Sequence, residues 1–82
     1  MTTEVKPLVV RLDHCAAGEK GTVSLISSRS PERLKRLGTL GLLPGSEVKL
    51  RQTRPAYVLE VGETTLALEK ELAAEIYLKR IS

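Results

Sequence analysis

Tyr57-Val58-Leu59-Glu60-Val61-Gly62-Glu63-Thr64-Thr65-Leu66-Ala67-Leu68 is the stretch on which the fold class turns. Leu59 and Val61 alternate on one face before Gly62, and Leu66 and Leu68 do so after it. A period of two places alternate side chains on one face of a strand, and a glycine between two such runs suits a hairpin turn. Residues 47–53 alternate in the same manner at Val48 and Leu50, and Arg54-Pro55 breaks the run. Upstream, Thr22-Val23-Ser24-Leu25-Ile26-Ser27 alternates with Val23 and Leu25 on one face. Leu8-Val9-Val10-Arg11-Leu12 is a short β-favouring run, and residues 76–81 alternate again at Ile76 and Leu78. Gly18-Glu19-Lys20-Gly21 is expected to be a glycine-flanked turn, and residues 13–17 a turn or a single helical turn.

One segment breaks the β pattern. Ser30-Pro31-Glu32 has the chemistry of a helix start. Ser30 can accept a hydrogen bond from a free backbone N–H, Pro31 suits the first helical position, and Glu32 favours the positive end of the helix dipole. The helix is expected to run to about Leu40, with Gly41 supplying a left-handed cap. At 100° per residue, Leu34, Leu37, Gly38 and Gly41 share one face and should pack inward, while Arg33, Arg36 and Leu40 share another. Gly38 costs roughly 1 kcal/mol against alanine inside a helix, so a close approach of its backbone to a strand is expected. Leu43-Pro44-Gly45-Ser46 fits a type II turn, and residues 69–74 contain good helix formers for one short helical turn.

The sum is a mainly β chain: a small SH3-like β-barrel of about five strands, with one inserted α-helix at about residues 31–40 and a short helical turn near 69–74. Short alternating strands manage their edges by curling over a shared core. Val23, Leu25, Val48, Leu50, Leu59, Val61, Leu66, Leu68, Ile76 and Leu78 are the expected inward positions. Residues 1–7 are expected to form a flexible tail and residues 8–82 one domain.

Composition bounds the function. The chain has 82 residues, 41% hydrophobic and 28% charged, which is ordinary globular usage rather than that of a disordered chain. A chain of this size hides only about 60–65% of its unfolded surface, so the core is thin. No apolar run reaches the roughly 18 residues of a membrane span, and the first residues lack the apolar stretch of a signal peptide, so a cytoplasmic address is expected. One cysteine and one histidine exclude an internal disulfide and a closed four-ligand zinc site of those residues. An enzyme needs a nucleophile, a base and oxyanion donors held in a supported cleft, and so small a chain favours a binding module instead. Net charge is +3, unevenly spread. Residues 1–54 carry ten Lys/Arg against five Asp/Glu, and the densest basic stretch is Arg29, Arg33, Lys35 and Arg36.

Several blocks, in order, resemble the FeoA family: Leu12, then Gly18-x-x-Gly21-x-Val23, then Arg33-Leu34-x-x-Leu37-Gly38, then Leu40-Gly41-Leu42-x-Pro44-Gly45-x-x-Val48. Val58-x-x-x-Gly62-x-x-x-Ala67-Leu68 and Leu72-Ala73-x-x-Ile76-x-Leu78 complete the pattern, so the resemblance covers about residues 8–81. The block at residues 37–45 is its most specific part. Arg54-Pro55-Ala56-Tyr57 is shorter than the corresponding turn often found in the family, and the N-terminal tail is extra. The resemblance implies an accessory protein of bacterial ferrous iron uptake, partnered with the cytoplasmic GTP-binding domain of the transporter FeoB. It implies no cofactor, no catalysis and no insertion into the membrane. Similar domains end the iron-dependent repressors of the DtxR class, but this chain has no DNA-reading helix pair ahead of its strands, so a free-standing relative of that domain is an alternative.

Gly18-x-x-Gly21-x-Val23 is also similar to the KOW motif of RNA-associated SH3-like barrels. With a pI of about 9.3, that makes nucleic-acid binding a further alternative. A row of stacking aromatics is missing, and no nucleic-acid partner is expected. His14 and Cys15 are metal candidates by residue type, but neighbours in an extended segment point to opposite faces and chelate one ion poorly. Glu69, Glu71 and Glu75 are expected to form a solvated face. The expected partner-binding surface is Arg33, Arg36 and Leu40, with Leu42 or Leu43 adding to an apolar patch rimmed by positive charge; the alternative is that these leucines complete the core. No phosphate-binding glycine loop of the P-loop type is present, so GTP is not an expected ligand of this chain. Dimerisation at an exposed sheet edge is left open.

Overall fold

The computed structural model describes residues 8–80. The expected tail over residues 1–7, and Ile81 of the last run, lie outside them. Strands β1 (Val9–Arg11), β2 (Lys20–Ile26), β3 (Glu47–Gln52), β4 (Tyr57–Val61), β5 (Thr64–Leu68) and β6 (Ile76–Arg80) form one antiparallel sheet in the order β1-β6-β2-β3-β4-β5. Helix α1 (Pro31–Thr39) sits between β2 and β3, the short helix α2 (Lys70–Ala73) between β5 and β6, and a 3-10 turn (Leu12–His14) follows β1. The mainly β class with an inserted helix is as the sequence predicts; the strands number six rather than five. The ladder is a strip with β1 and β5 at its ends, not a hydrogen-bonded ring, among the described residues.

Alternation accounts for most of the core. Val23, Val48, Leu50, Leu59, Val61, Leu66, Leu68, Ile76 and Leu78 are all buried. Leu25 is the exception at 55% exposed. Val23 opposes Leu78, yet Leu25 opposes Tyr77, so two β2 residues stand against one of β6. This bulge slips the register by one, which turns Leu25 outward and lets Ile26 face Ile76. Leu12, Leu37, Leu42 and Ala73 add a lid of buried side chains from the 3-10 turn, α1, the loop after it and α2.

The turns follow their residues. Gly62 has φ +60 while Glu63 keeps a negative φ, the pattern of a two-residue hairpin loop with the left-handed residue first. In the loop after α1, Ser46 N–H donates to Leu43 O at 2.9 Å, closing a β-turn around Pro44-Gly45 in which Gly45 has φ +97, as the third position of a type II turn needs. That loop is fastened to β2 by Val23 N–H to Ser46 O (2.8 Å) and Gly45 N–H to Val23 O (2.7 Å). Gly21 is not in a turn but inside β2. A Cβ there would come 2.9 Å from Lys79 O and 3.1 Å from Leu78 Cβ, so its role is to let β6 lie close.

Candidate functional site

Helix α1 is set by its caps. Ser30 Oγ accepts from Arg33 N at 3.2 Å, and Pro31 takes the first position. At the other end Gly41 has φ +91, with Gly41 N–H donating to Gly38 O (3.0 Å) and Leu42 N–H to Leu37 O (2.9 Å). This paired pattern ends a helix and brings the residue two beyond the cap against the residue one turn before it. Leu37 and Leu42 are accordingly both buried, at 1% and 0% exposed. Leu42 therefore belongs to the core and drops out of the expected apolar patch. Ser46 Oγ locks the loop by donating to Gly41 O (2.8 Å) and accepting from Leu43 N (3.2 Å).

Leu40 and Leu43 are exposed, at 40% and 51%, but they lie on different flanks of the helix. With 3.6 residues per turn, Leu40 sits about 60° to one side of Leu37, with Arg33 and Arg36. Gly38 and Leu34 sit on the other side. The Leu43 side chain reaches Gly38, where Cδ2 would come 3.1 Å from an added Cβ. The room at Gly38 is thus used by Leu43 rather than by a strand. The expected inward face is also narrower: Leu34 is 38% exposed, and Leu37 alone in α1 is fully buried.

The charged groups divide too. Arg33 Nη1 bonds Glu75 Oε1 at 2.8 Å, so Glu75 joins α1 to the segment after α2 instead of lying on a solvated acidic face. Ser27 N–H also donates to the Glu75 carbonyl, at 2.7 Å. Arg36 and Lys35 are exposed and make no ion pair among the described residues. Arg33, Arg36 and Leu37 face Leu68, Glu69, Glu71 and Leu72 across a shallow cleft of about 260 Å³. One flank of α1 thus offers Arg36 and Leu40 beside an acidic rim, and the other offers Leu34 and Leu43.

The metal candidates part company. Cys15 is buried and its Sγ donates to Arg11 O at 3.5 Å, while the His14 ring is 62% exposed. Burial pushes the Cys15 thiol up to about 11, with the nearby Glu19 adding to it, so the thiolate that would bind a metal is disfavoured at neutral pH. No group of three or more His, Cys, Asp or Glu among the described residues is placed to hold a metal ion. Asp13 and Glu19 are engaged in structural pairs. Arg11 Nε and Nη2 bond the two Asp13 oxygens at 2.9 and 2.7 Å, and Arg80 Nη1 bonds Glu19 Oε1 at 2.6 Å. No described helix is long and apolar enough to cross a membrane.

The FeoA domain model matches residues 10–80. The chain belongs to the FeoA family. Its fold matches a crystal structure described as the iron uptake regulatory protein FeoA, with a TM-score of 0.79 and 26% identity over 92% of this chain and 100% of that one. FeoA of Stenotrophomonas maltophilia, a prokaryotic SH3 domain protein solved with zinc, matches with a TM-score of 0.68 and 21% identity, over 85% of this chain and 96% of that one. IdeR of T. acidophilum matches with a TM-score of 0.82 and 20% identity, over 95% of this chain but 37% of that one. At these identities the last two establish the fold, which is SH3-like. Among proteins of curated function none matches in sequence. For Leu42 the alternative reading, that it completes the core, is the one the structure supports, and the sequence carries a signal for it: Leu37 and Leu42 flank Gly41 at the spacing of the helix-ending motif just described.

Proposed function

We propose that this FeoA-family chain is a cytoplasmic accessory protein of bacterial ferrous iron uptake. It acts by binding rather than catalysis, and docks on the cytoplasmic GTP-binding domain of the transporter FeoB. The family match over residues 10–80 is the observation that carries this reading. The docking surface is the flank of α1 where Arg36 and Leu40 are exposed, with Arg33 held beside them by Glu75. Arg36, the cation of this flank without an ion pair among the described residues, is free to meet a carboxylate of the partner, while Leu40 adds apolar area to bury beside it. Leu43 borders the opposite flank and serves a wide partner only.

Titration of the chain against the soluble GTP-binding domain, with and without nucleotide, tests this. Binding at micromolar concentrations is expected. Leu40→Asp or Arg36→Glu should weaken it by about tenfold, a loss of about 1.4 kcal/mol, with the thermal midpoint unchanged. No binding at high micromolar concentration in either nucleotide state overturns the partner. Normal binding by both variants overturns the face.

A further inference from the structure

The outer face of the sheet carries side chains that neither the core nor the α1 flanks use. Directly opposed residues of an antiparallel ladder point to the same side, so the pairing sorts them into rows. Lys20 of β2 opposes Lys49 of β3. Lys79 of β6 opposes Thr22, two residues along β2 from Lys20, and opposes Val9 of β1 on its other side. In the next row Tyr77 of β6 stands between Arg11 of β1 and Leu25 of β2. The alternate positions, with Val23 against Leu78, are buried, so these rows face outward.

The charges on this face are unbalanced. Opposed side chains start only about 5 Å apart, and like charges directly opposite one another destabilise a ladder. Two of the nearby carboxylates are already engaged: Glu60, opposite Lys49, takes Arg51 at 3.3 Å, and Asp13 takes Arg11 at 2.7 Å. Glu47, opposite Thr22, is left to face Lys20, Lys49 and Lys79, none of which makes an ion pair among the described residues. Beside these lysines the bulge displays Leu25 at 55% exposed, and Val9 is 42% exposed.

We propose that this face is a peripheral contact for an anionic membrane surface. Lys20, Lys49 and Lys79 lie against acidic phospholipid headgroups, and Leu25 and Val9 enter the boundary between headgroups and acyl chains. Charge complementarity selects an anionic surface. The exposed aliphatic side chains select a bilayer over a nucleic acid, because they cannot stack on bases and Tyr77, the single aromatic here, is half-buried. The contact includes no α1 residue, so it stands or falls independently of docking on a GTP-binding domain.

Co-sedimentation of the full chain with lipid vesicles tests the proposal. Binding is expected to phosphatidylcholine vesicles containing about 30% phosphatidylglycerol and not to phosphatidylcholine alone. It should fall by about tenfold between roughly 50 and 300 mM NaCl, as the Debye length shrinks. The double variant Lys20→Glu/Lys79→Glu should lose about tenfold and Leu25→Ser about threefold, while Arg36→Glu binds normally. If the charge reversals disturb the circular dichroism spectrum, Lys20→Gln/Lys79→Gln takes their place. Equal binding to neutral vesicles, no binding at low salt, or full binding by the lysine variants overturns the proposal. So does single-stranded RNA binding that is tighter than vesicle binding and depends on the same lysines.

Discussion

Asp13 shows how single residues hold the thin core in place. Its carboxylate takes both the Nε and Nη2 of Arg11, and its backbone oxygen accepts from Tyr57 Oη at 3.2 Å. The 3-10 turn that buries Leu12 is thereby tied to β1 and β4 together. The Arg11 hydrogen bonds hold the Asp13 carboxyl below its usual value of 3.8, against the opposing effect of burial. A carboxyl depressed in the folded state contributes stability above its unfolded pKa, and that contribution is lost as pH falls through the folded pKa. Asp13→Asn should therefore lower the thermal midpoint at pH 7, and the gap between variant and parent should close in acid, as the pH falls through the depressed Asp13 value that lies below 3.8. Thermal melts at pH 7 and in acid check this; a gap that persists in acid would assign the loss to packing instead. Glycines act at the same scale through different physics. Gly41 is needed for its left-handed φ of +91, Gly21 for the missing Cβ against β6.

At the scale of elements, the helix-ending motif separates fold from surface within a few residues. Leu42→Ala removes a fully buried side chain and should cost about 2–5 kcal/mol. For a chain this small that means a fall in thermal midpoint of about 10 °C or more, whereas Leu40→Asp should leave the midpoint nearly unchanged. A pair of melting curves decides between them, and equal losses would show that Leu40 also supports the core. The strands were legible because alternation is local: residues 47–53, 57–61 and 64–68 state their inward faces without knowledge of any partner. The bulge was not. Val23, Ser24 and Leu25 keep the alternation, and the two-against-one mismatch exists only relative to Tyr77 of β6. The proposed docking flank was half legible. The helical wheel groups Arg33, Arg36 and Leu40, but the placing of Leu43 over Gly38 depends on how the following loop folds back. The juxtaposition of Lys20, Lys49 and Lys79 is likewise a product of register between segments far apart in the chain.

For the whole molecule the governing fact is where the last strand lies. β6 is the last strand described, yet it is interior to the sheet, with β1 on one side and β2 on the other. Removal of residues 76–80 should leave β1 without a partner and expose Ile76's pocket, so the shortened chain is expected to lose its β-type circular dichroism and its cooperative melt. A cooperative transition in that chain would show that β2 to β5 suffice. The same arrangement brings the two ends of the described chain together: Val9 stands beside Lys79, and Arg80 N–H donates to Leu8 O at 2.9 Å. Entry and exit share one doorstep. A polypeptide folded in this way is a natural cassette, able to be spliced into a surface loop of a larger host without prising apart the site that receives it.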